Sequence, residues 1–222
     1  MEQQDMNMAT FSPQPQVDED GSVILFLYGG LTAESSSKLI SEILAYGNAP
    51  NIQLRIKTNG GDMDEAFALW DIIQEYNINT HLDGFGFSGG FIVFLAGINR
   101  TMGKNAKIMH HEMRYQHSGT LTNHQQSAQE FRRRQDKIDE LIMSKINIRK
   151  DALEEWYERS GDWYIDYDLA VSLGIVTHVL QIETHNEMVE IDGIEMEMPV
   201  RYSEYVPVED VYAVHKNESV EE

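Results

Sequence analysis

The chain has no cysteine and little positive charge. Across 222 residues, 17 Lys and Arg stand against 37 Asp and Glu, a formal charge of −20. Without a thiol there is no cysteine nucleophile, no thiolate zinc site and no disulfide scaffold, so nothing calls for an oxidising compartment. The shortage of cations argues against a nucleic-acid binder or an anionic-membrane binder, because both targets recruit positive charge. Long apolar runs are missing too. The longest, residues 91–98, falls far short of the ~20 residues that span a bilayer. Residues 1–20 are polar and acidic, with neither a basic n-region nor an apolar h-region, so no secretory signal is expected. A cytoplasmic protein is the expectation. What is present is ordinary for a globular chain: 41% hydrophobic and 24% charged, on a length that can bury a sizeable core.

Residues 1–20 read as a flexible arm, with Pro13 and Pro15 opposing regular structure. The β-branched and aromatic run at 22–28 ends at Gly29-Gly30 and predicts a buried strand. Apolar residues at helical spacing predict helices over 32–46, where Thr32 can cap, and over 62–75. Alternation predicts a strand over 52–56 running into a turn at 58–61, with further short strands at 78–82 and 107–109. Residues 84–90 read as a glycine-rich loop and 90–95 as an apolar helix start. A long polar helix with a narrow apolar stripe covers 121–146; a short helix at 169–173 precedes a strand at 175–180. Strands alternating with helices through glycine turns predict a parallel α/β sheet.

Residues 181–222 differ. They hold 12 acidic and 2 basic residues, net −10, half the charge of the whole chain. Within them Asp192-Gly193 separates two alternating segments, 189–191 and 194–196. Asp-Gly favours the type I′ turn of a two-residue hairpin. The expected organisation is an arm over 1–20, an α/β domain over 21–180 and an acidic extension with a β-hairpin over 181–222.

Gly84-Phe85-Gly86-Phe87-Ser88-Gly89-Gly90 lies between a predicted strand and an apolar helix, and matches G-x-S-x-G at Gly86, Ser88 and Gly90. A sharp turn there would expose the Ser88 hydroxyl and aim the next amide hydrogens at a developing oxyanion. A serine that merely caps the following helix fits the same residues, and the loop alone leaves both readings open. A base is then needed. His110 and His111 follow a short strand, and imidazole titrates near neutrality. The metalloprotease pattern H-E-x-x-H fails at His111-Glu112, because Tyr115 occupies the second ligand position. His111, His117 and His124 recur at near-heptad spacing, but with no carboxylate or cysteine in support this carries no metal site.

These segments together resemble the ClpP family, the proteolytic subunit of the ATP-dependent Clp protease, within the ClpP/crotonase superfamily. The resemblance spans roughly residues 22–180. The family's strand ending in Ser-Pro-Gly-Gly is similar to Ile56-Lys57-Thr58-Asn59-Gly60-Gly61. Its G-x-A-A-S-M-G/A-A segment is similar to the run that starts at Gly84, and its P-N-x-x-x-M-I-H-Q segment to the run from Asn105 to Glu112. Its acidic residue lies twelve before the glycine of a G-L-[VI]-D segment; that glycine is Gly174 here, and twelve back is Asp162. The resemblance implies a spiral fold of ββα units with a protruding handle helix over about 121–146. It also implies a Ser88–His111–Asp162 triad, with Gly61 and Gly89 supplying oxyanion-hole amides, and no metal or other cofactor. The implied activity is serine-type endopeptidase cleavage of unfolded polypeptides inside a hexameric or heptameric ring, stacked as a double ring and fed by an AAA+ unfoldase. Neither nucleic acid nor membrane is implied as a partner.

Departures mark a divergent, phage-type or otherwise specialised member. Gly86-Phe87 stands for Ala-Ala, Gly89 for Met, Asn59 for Pro and Glu112 for Gln. Arg132-Arg133-Arg134 on the handle helix reads as exposed charge, or as cations that pair with an acidic neighbouring subunit. Three other readings compete. An α/β-hydrolase-type esterase orders its triad Ser, acid, His, so it would need His178, His185 or His215 as base. A non-catalytic ring scaffold or assembly protein would have no need of the triad; a phage head-maturation or scaffold ClpP-like protein is a related alternative. A crotonase-like acyl-CoA enzyme usually replaces the serine. Repeated around a ring, the acidic extensions are expected at the outer surface or rim, because a closed chamber would crowd like charges.

Overall fold

The computed structural model describes residues 12–114, 116–191 and 194–209. The bulk of the predicted N-terminal arm, the Asp192-Gly193 turn and the stretch with His215 therefore lie outside the described residues. The sheet starts with β1 (Gln16–Val17), antiparallel to β2 (Val23–Tyr28). β2, β3 (Ile52–Thr58) and β4 (Asn79–Phe87) then run parallel. Their inward residues, among them Leu25, Leu54, Ile56 and Leu82, are fully buried. The connections are helices α1 (Ala33–Tyr46) and α2 (Met63–Glu75). α1 starts where Thr32 Oγ1 accepts from the Ser35 amide (3.2 Å) and Ser35 Oγ accepts from the Thr32 amide (3.0 Å), a reciprocal cap. At α2 Asp62 accepts from the Asp64 amide at 2.8 Å.

β4 changes neighbours along its length. Residues 80–82 pair with β5 (Arg100–Met102), and residues 85–87 pair with β6 (Lys107–His111), both in parallel. The far edge is β7 (Asp162–Ile165), antiparallel to β6. The sheet is therefore mixed, with a parallel centre and two antiparallel edges, where the alternation of elements predicted parallel strands throughout. The segment read as a glycine-rich loop is mostly strand. β4 continues through Gly84 to Phe87, because Gly86 and Phe87 find partners on β6. Helix α3 (Gly89–Leu95) follows with every residue buried, which explains its unbroken apolar sequence.

α4 (Leu121–Lys145) is 25 residues long and buries only Gln135, Ile138, Asp139 and Ile142. Most residues of its first three turns are exposed, Leu121 among them, as expected of the handle. α5 (Lys150–Ser160) and α6 (Tyr167–Ser172) complete the helices among the described residues. β8 (His178–Ile191) and β9 (Ile194–Pro207) form a separate antiparallel hairpin. Ile191 and Ile194 are the last register partners of this hairpin.

Buried Arg100 ties these parts together. Its guanidinium donates to the carbonyls of Gly97 (3.1 Å), Lys145 (3.3 Å), Gly174 (3.0 Å) and Ile175 (2.7 Å). Gly97 and Gly174 follow the C-termini of α3 and α6, and Lys145 ends α4. One cation thus meets the negative ends of three helices. Burial lowers its pKa to about 10, which leaves it charged at neutral pH.

Candidate active site

Ser88 occupies the single position between β4 and α3. Its backbone lies at φ +53°, ψ −124°, a conformation that costs a non-glycine residue about 1–3 kcal/mol. Two bonds hold it there: the Ser88 amide donates to the Met109 carbonyl (2.7 Å), and the Phe91 amide donates to the Ser88 carbonyl (3.0 Å). The side chain makes no capping hydrogen bond to α3. Of the two readings that the glycine-serine segment left open, the cap is not formed, and among the described residues the hydroxyl has no hydrogen-bond partner.

The turn after β3 presses against this elbow. Thr58 Oγ1 accepts from the Gly60 amide at 3.0 Å. A Cβ on Gly60 would stand 2.5 Å from the Phe87 carbonyl oxygen and 2.9 Å from the Gly89 nitrogen. On Gly61 (φ +151°) it would stand 2.2 Å from the Leu31 carbonyl oxygen. No other residue type fits either position, and the close approach brings this turn to Ser88. Gly89, as the first helical residue, has an amide without an intrahelical acceptor.

His111 is the last residue of β6 and Asp162 the first of β7, and the antiparallel register places them opposite each other. The backbone thus brings together Ser88, His111 and Asp162 from three strand ends. The side chains are otherwise engaged. His111 Nδ1–H donates to the Glu112 carbonyl at 2.6 Å. Asp162 Oδ1 accepts from Arg114 Nη2 at 2.5 Å. Among the described residues no hydrogen bond joins Ser88 to His111 or His111 to Asp162. The cause is local: Arg114, three residues beyond His111, offers the carboxylate a charge-assisted bond that a neutral imidazole cannot match. In a neutral imidazole a proton on Nδ1 leaves the lone pair on Nε2, the tautomer a general base needs.

A cavity of about 110 Å³ opens beside Ser88. Its lining includes Gly61, His111 and Arg114, and apolar walls from Met63, Ile92 and Ile138. His110 lines it as well, and leads into a buried polar network for which the sequence offered no cue. His110 Nε2 bonds the Tyr157 hydroxyl (2.8 Å), which donates to Asp139 Oδ1 (2.8 Å). Gln135 Nε2 donates to the same Asp139 oxygen (2.8 Å), and Gln135 Oε1 accepts from the Met113 amide (2.8 Å). Burial, then the neighbouring His111 charge, depresses the His110 pKa to about 3, so its imidazole is neutral. Burial raises the Asp139 and Tyr157 values.

Other candidates fall elsewhere. His117 and His124 stack edge to face with centroids 5.0 Å apart, away from His111. No cluster of three or more His, Asp or Glu suited to a metal occurs among the described residues. His178 bonds Thr177 at the root of the hairpin (3.0 Å) and does not line the Ser88 cavity.

A model of the Clp protease family matches residues 19–183. The chain belongs to the Clp protease family. Two relatives are the ATP-dependent Clp protease proteolytic subunit 2 of Treponema pallidum and subunit 1 of Rhodopirellula baltica. The first is 23% identical over 134 residues, 59% of this chain and 66% of the relative, just under two thirds of its length. The second is 23% identical over 164 residues, 71% of each chain. The chain is thus a divergent member of this family. Its mixed sheet, helices and projecting α4 are the ClpP fold. No helix among the described residues is long and apolar enough to cross a membrane.

Proposed function

We propose that this ClpP-like protease is a serine endopeptidase acting through Ser88, His111 and Asp162, on unfolded polypeptides inside an oligomeric ring. The observation that carries the reading is Ser88: a strained elbow with an unengaged hydroxyl, at a cavity shared with His111 and Gly61. In the reaction Ser88 Oγ attacks the scissile carbonyl and His111 Nε2 takes its proton. The Gly61 and Gly89 amides receive the oxyanion, where loss of one donor typically costs about 3 kcal/mol of transition-state stabilisation. His111 returns the proton to the leaving amine, and water then hydrolyses the acyl-Ser88 ester. The imidazolium needs a carboxylate behind it, so Asp162 must leave Arg114 and accept the His111 Nδ1–H in place of the Glu112 carbonyl. The present arrangement is on this reading a resting one, completed on assembly or substrate binding. Neither a cofactor nor a metal enters these steps. An AAA+ unfoldase that delivers chains to the ring is part of the same proposal.

The test is a fluorophosphonate probe with the wild type, Ser88→Ala and His111→Ala, beside cleavage of an unfolded protein substrate. Labelling and cleavage by wild type, lost in both variants, is the expected result. Cleavage retained by His111→Ala would show that another base serves Ser88. An assembled ring that neither labels nor cleaves would point to a scaffold.

A further inference from the structure

The cavity beside Ser88 holds one permanent charge. Met63, Ile92, Met113 and Ile138 give it apolar walls, and burial keeps His110 neutral. Among the described residues no Asp or Glu lines it, and Arg114 is its one fixed cation. A cation at the nucleophile runs against the composition of a chain whose net charge is −20. The volume of about 110 Å³ equals on the order of three to four water volumes, room for a mid-length side chain. Ser88 Oγ attacks a carbonyl whose neighbouring Cα carries the side chain before the scissile bond, so that side chain meets this cavity first.

Arg114 is lightly held. Its Nη2 donates to Asp162 Oδ1 at 2.5 Å, its side chain is 71% exposed, and no other bond engages it among the described residues. A guanidinium presents a planar fork that grips a carboxylate through two parallel bonds, and this contact uses one of them. Asp162 is also the carboxylate that the proposed triad needs back. If it leaves alone, a cation is stranded at the cavity. If a substrate carboxylate takes its place, one ion pair replaces another, and Asp162 is released to accept the His111 Nδ1–H.

We propose that Arg114 determines specificity at this site: it pairs with a glutamate or aspartate side chain immediately before the scissile bond, and by that exchange hands Asp162 to His111. The inference rests on Ser88 being the nucleophile. The methylenes of glutamate lie along the apolar walls while its carboxylate turns to Arg114 at the exposed rim. Glutamine has the same shape without the charge, so Asp162 stays on Arg114 in a larger share of complexes. Lysine meets a like charge. The chain as a whole repels acidic substrates, so a preference for glutamate has to come from this local cation. Because the exchange completes the triad, the gain falls on kcat as well as KM.

The test uses the full-length wild-type chain with matched peptide aminomethylcoumarin amides that differ only in the residue before the coumarin: Glu, Gln, Leu and Lys. Expected is a kcat/KM for Glu about fivefold above Gln, part of it in kcat, with Lys lowest. Added salt should shrink the Glu-to-Gln ratio. Arg114→Gln should raise turnover of the Gln and Leu peptides, lower that of the Glu peptide, and bring the ratio to about one. Arg114→Lys keeps a cation and should hold the ratio above one. Fluorophosphonate labelling of Ser88 separates the two levels of inference. A labelled enzyme that cleaves Gln as well as or better than Glu, or whose ratio is unmoved by Arg114→Gln, overturns the Arg114 assignment alone. Absence of both labelling and cleavage overturns the serine-protease reading, and the Arg114 assignment with it.

Discussion

Arg114 holds Asp162, the carboxylate that His111 would need as the proposed base. The ion pair is open to solvent, with the Arg114 side chain 71% exposed, and exposed pairs contribute about 0–1 kcal/mol to stability. Its role is then one of competition, and Arg114→Gln should raise kcat for small neutral peptides several-fold with little change in melting temperature. Steady-state kinetics beside a thermal melt checks this; an unchanged or lower kcat in a well-folded variant would count against a resting Asp162. His110 gives a pH signature. Its pKa is about 3 in the fold against 6.5 for a free imidazole, so between these values the unfolded chain binds the proton and the native chain does not. Stability is full above pH 6.5 and falls by on the order of a few kcal/mol as the pH drops toward 3. Asp139, with a raised pKa, works in the opposite direction below its own titration. Urea midpoints measured from pH 7 to 4 should slope down in wild type and lose most of that slope in His110→Phe. Arg100→Met strands four backbone carbonyls in the interior, and should cost about 3 kcal/mol in urea unfolding. How far these residues could be read from sequence differs. Ser88 and the Gly60-Gly61 turn carry backbone signatures in their neighbours. Asp162 was reachable only through its offset from Gly174, because a carboxylate after a glycine says nothing by itself. Arg114 and the His110–Tyr157–Asp139 network depend on where α4 and α5 pack, which local sequence does not encode.

Among the elements, the long ones declared themselves and the short ones did not. α1, α2 and α4 have caps and stripes that set their type, whereas β5 is three residues of Arg-Thr-Met without alternation. β7 exists because β6 offers it an edge, so neither strand has a local signal to find. α5 mixes charge with aromatic residues, and packs through Leu153, Trp156 and Tyr157, a face whose apolar content is too sparse to stand out. The hairpin divides into two parts with different roles. Its root belongs to the domain: the Val208 amide donates to Thr177, Thr177 bonds Arg100 across β5, and the Tyr205 ring lies 6.2 Å from His81. Among the described residues, the bonds that tie the hairpin to the domain lie at this root. Gln181 and Glu204 are register partners, so replacing residues 182–203 with Asp-Gly rejoins the strands through an allowed turn. That variant should melt within about 4 °C of wild type and keep small-peptide cleavage. Truncation after Leu180 removes Val208 from the core, and is expected to lower the yield of folded protein. A melting temperature that falls as far in the loop-closed variant as in the truncation would show that the distal arms carry stability too.

At the scale of the whole molecule, the described residues leave most of α4 uncovered. α4 buries four of its 25 residues, which is little for a helix of that length unless a second subunit covers it. Light scattering should give a mass that is six or seven times 25.5 kDa, or twice that for stacked rings; a monomer with full peptidase activity would count heavily against assembly. The charge of the extension also has a geometry. Each hairpin strand has 14 residues, and at about 3.3 Å per residue reaches about 45 Å. A domain of this size has a radius of gyration of about 16 Å, so the hairpin is about as long as its domain is wide. At physiological salt, repulsion between exposed charges fades beyond about 8 Å. Neighbouring arms in a ring therefore feel each other only where they pass within that distance. The angle at which each arm leaves its root, more than the total charge, then decides whether the ring bristles or its arms lie flat.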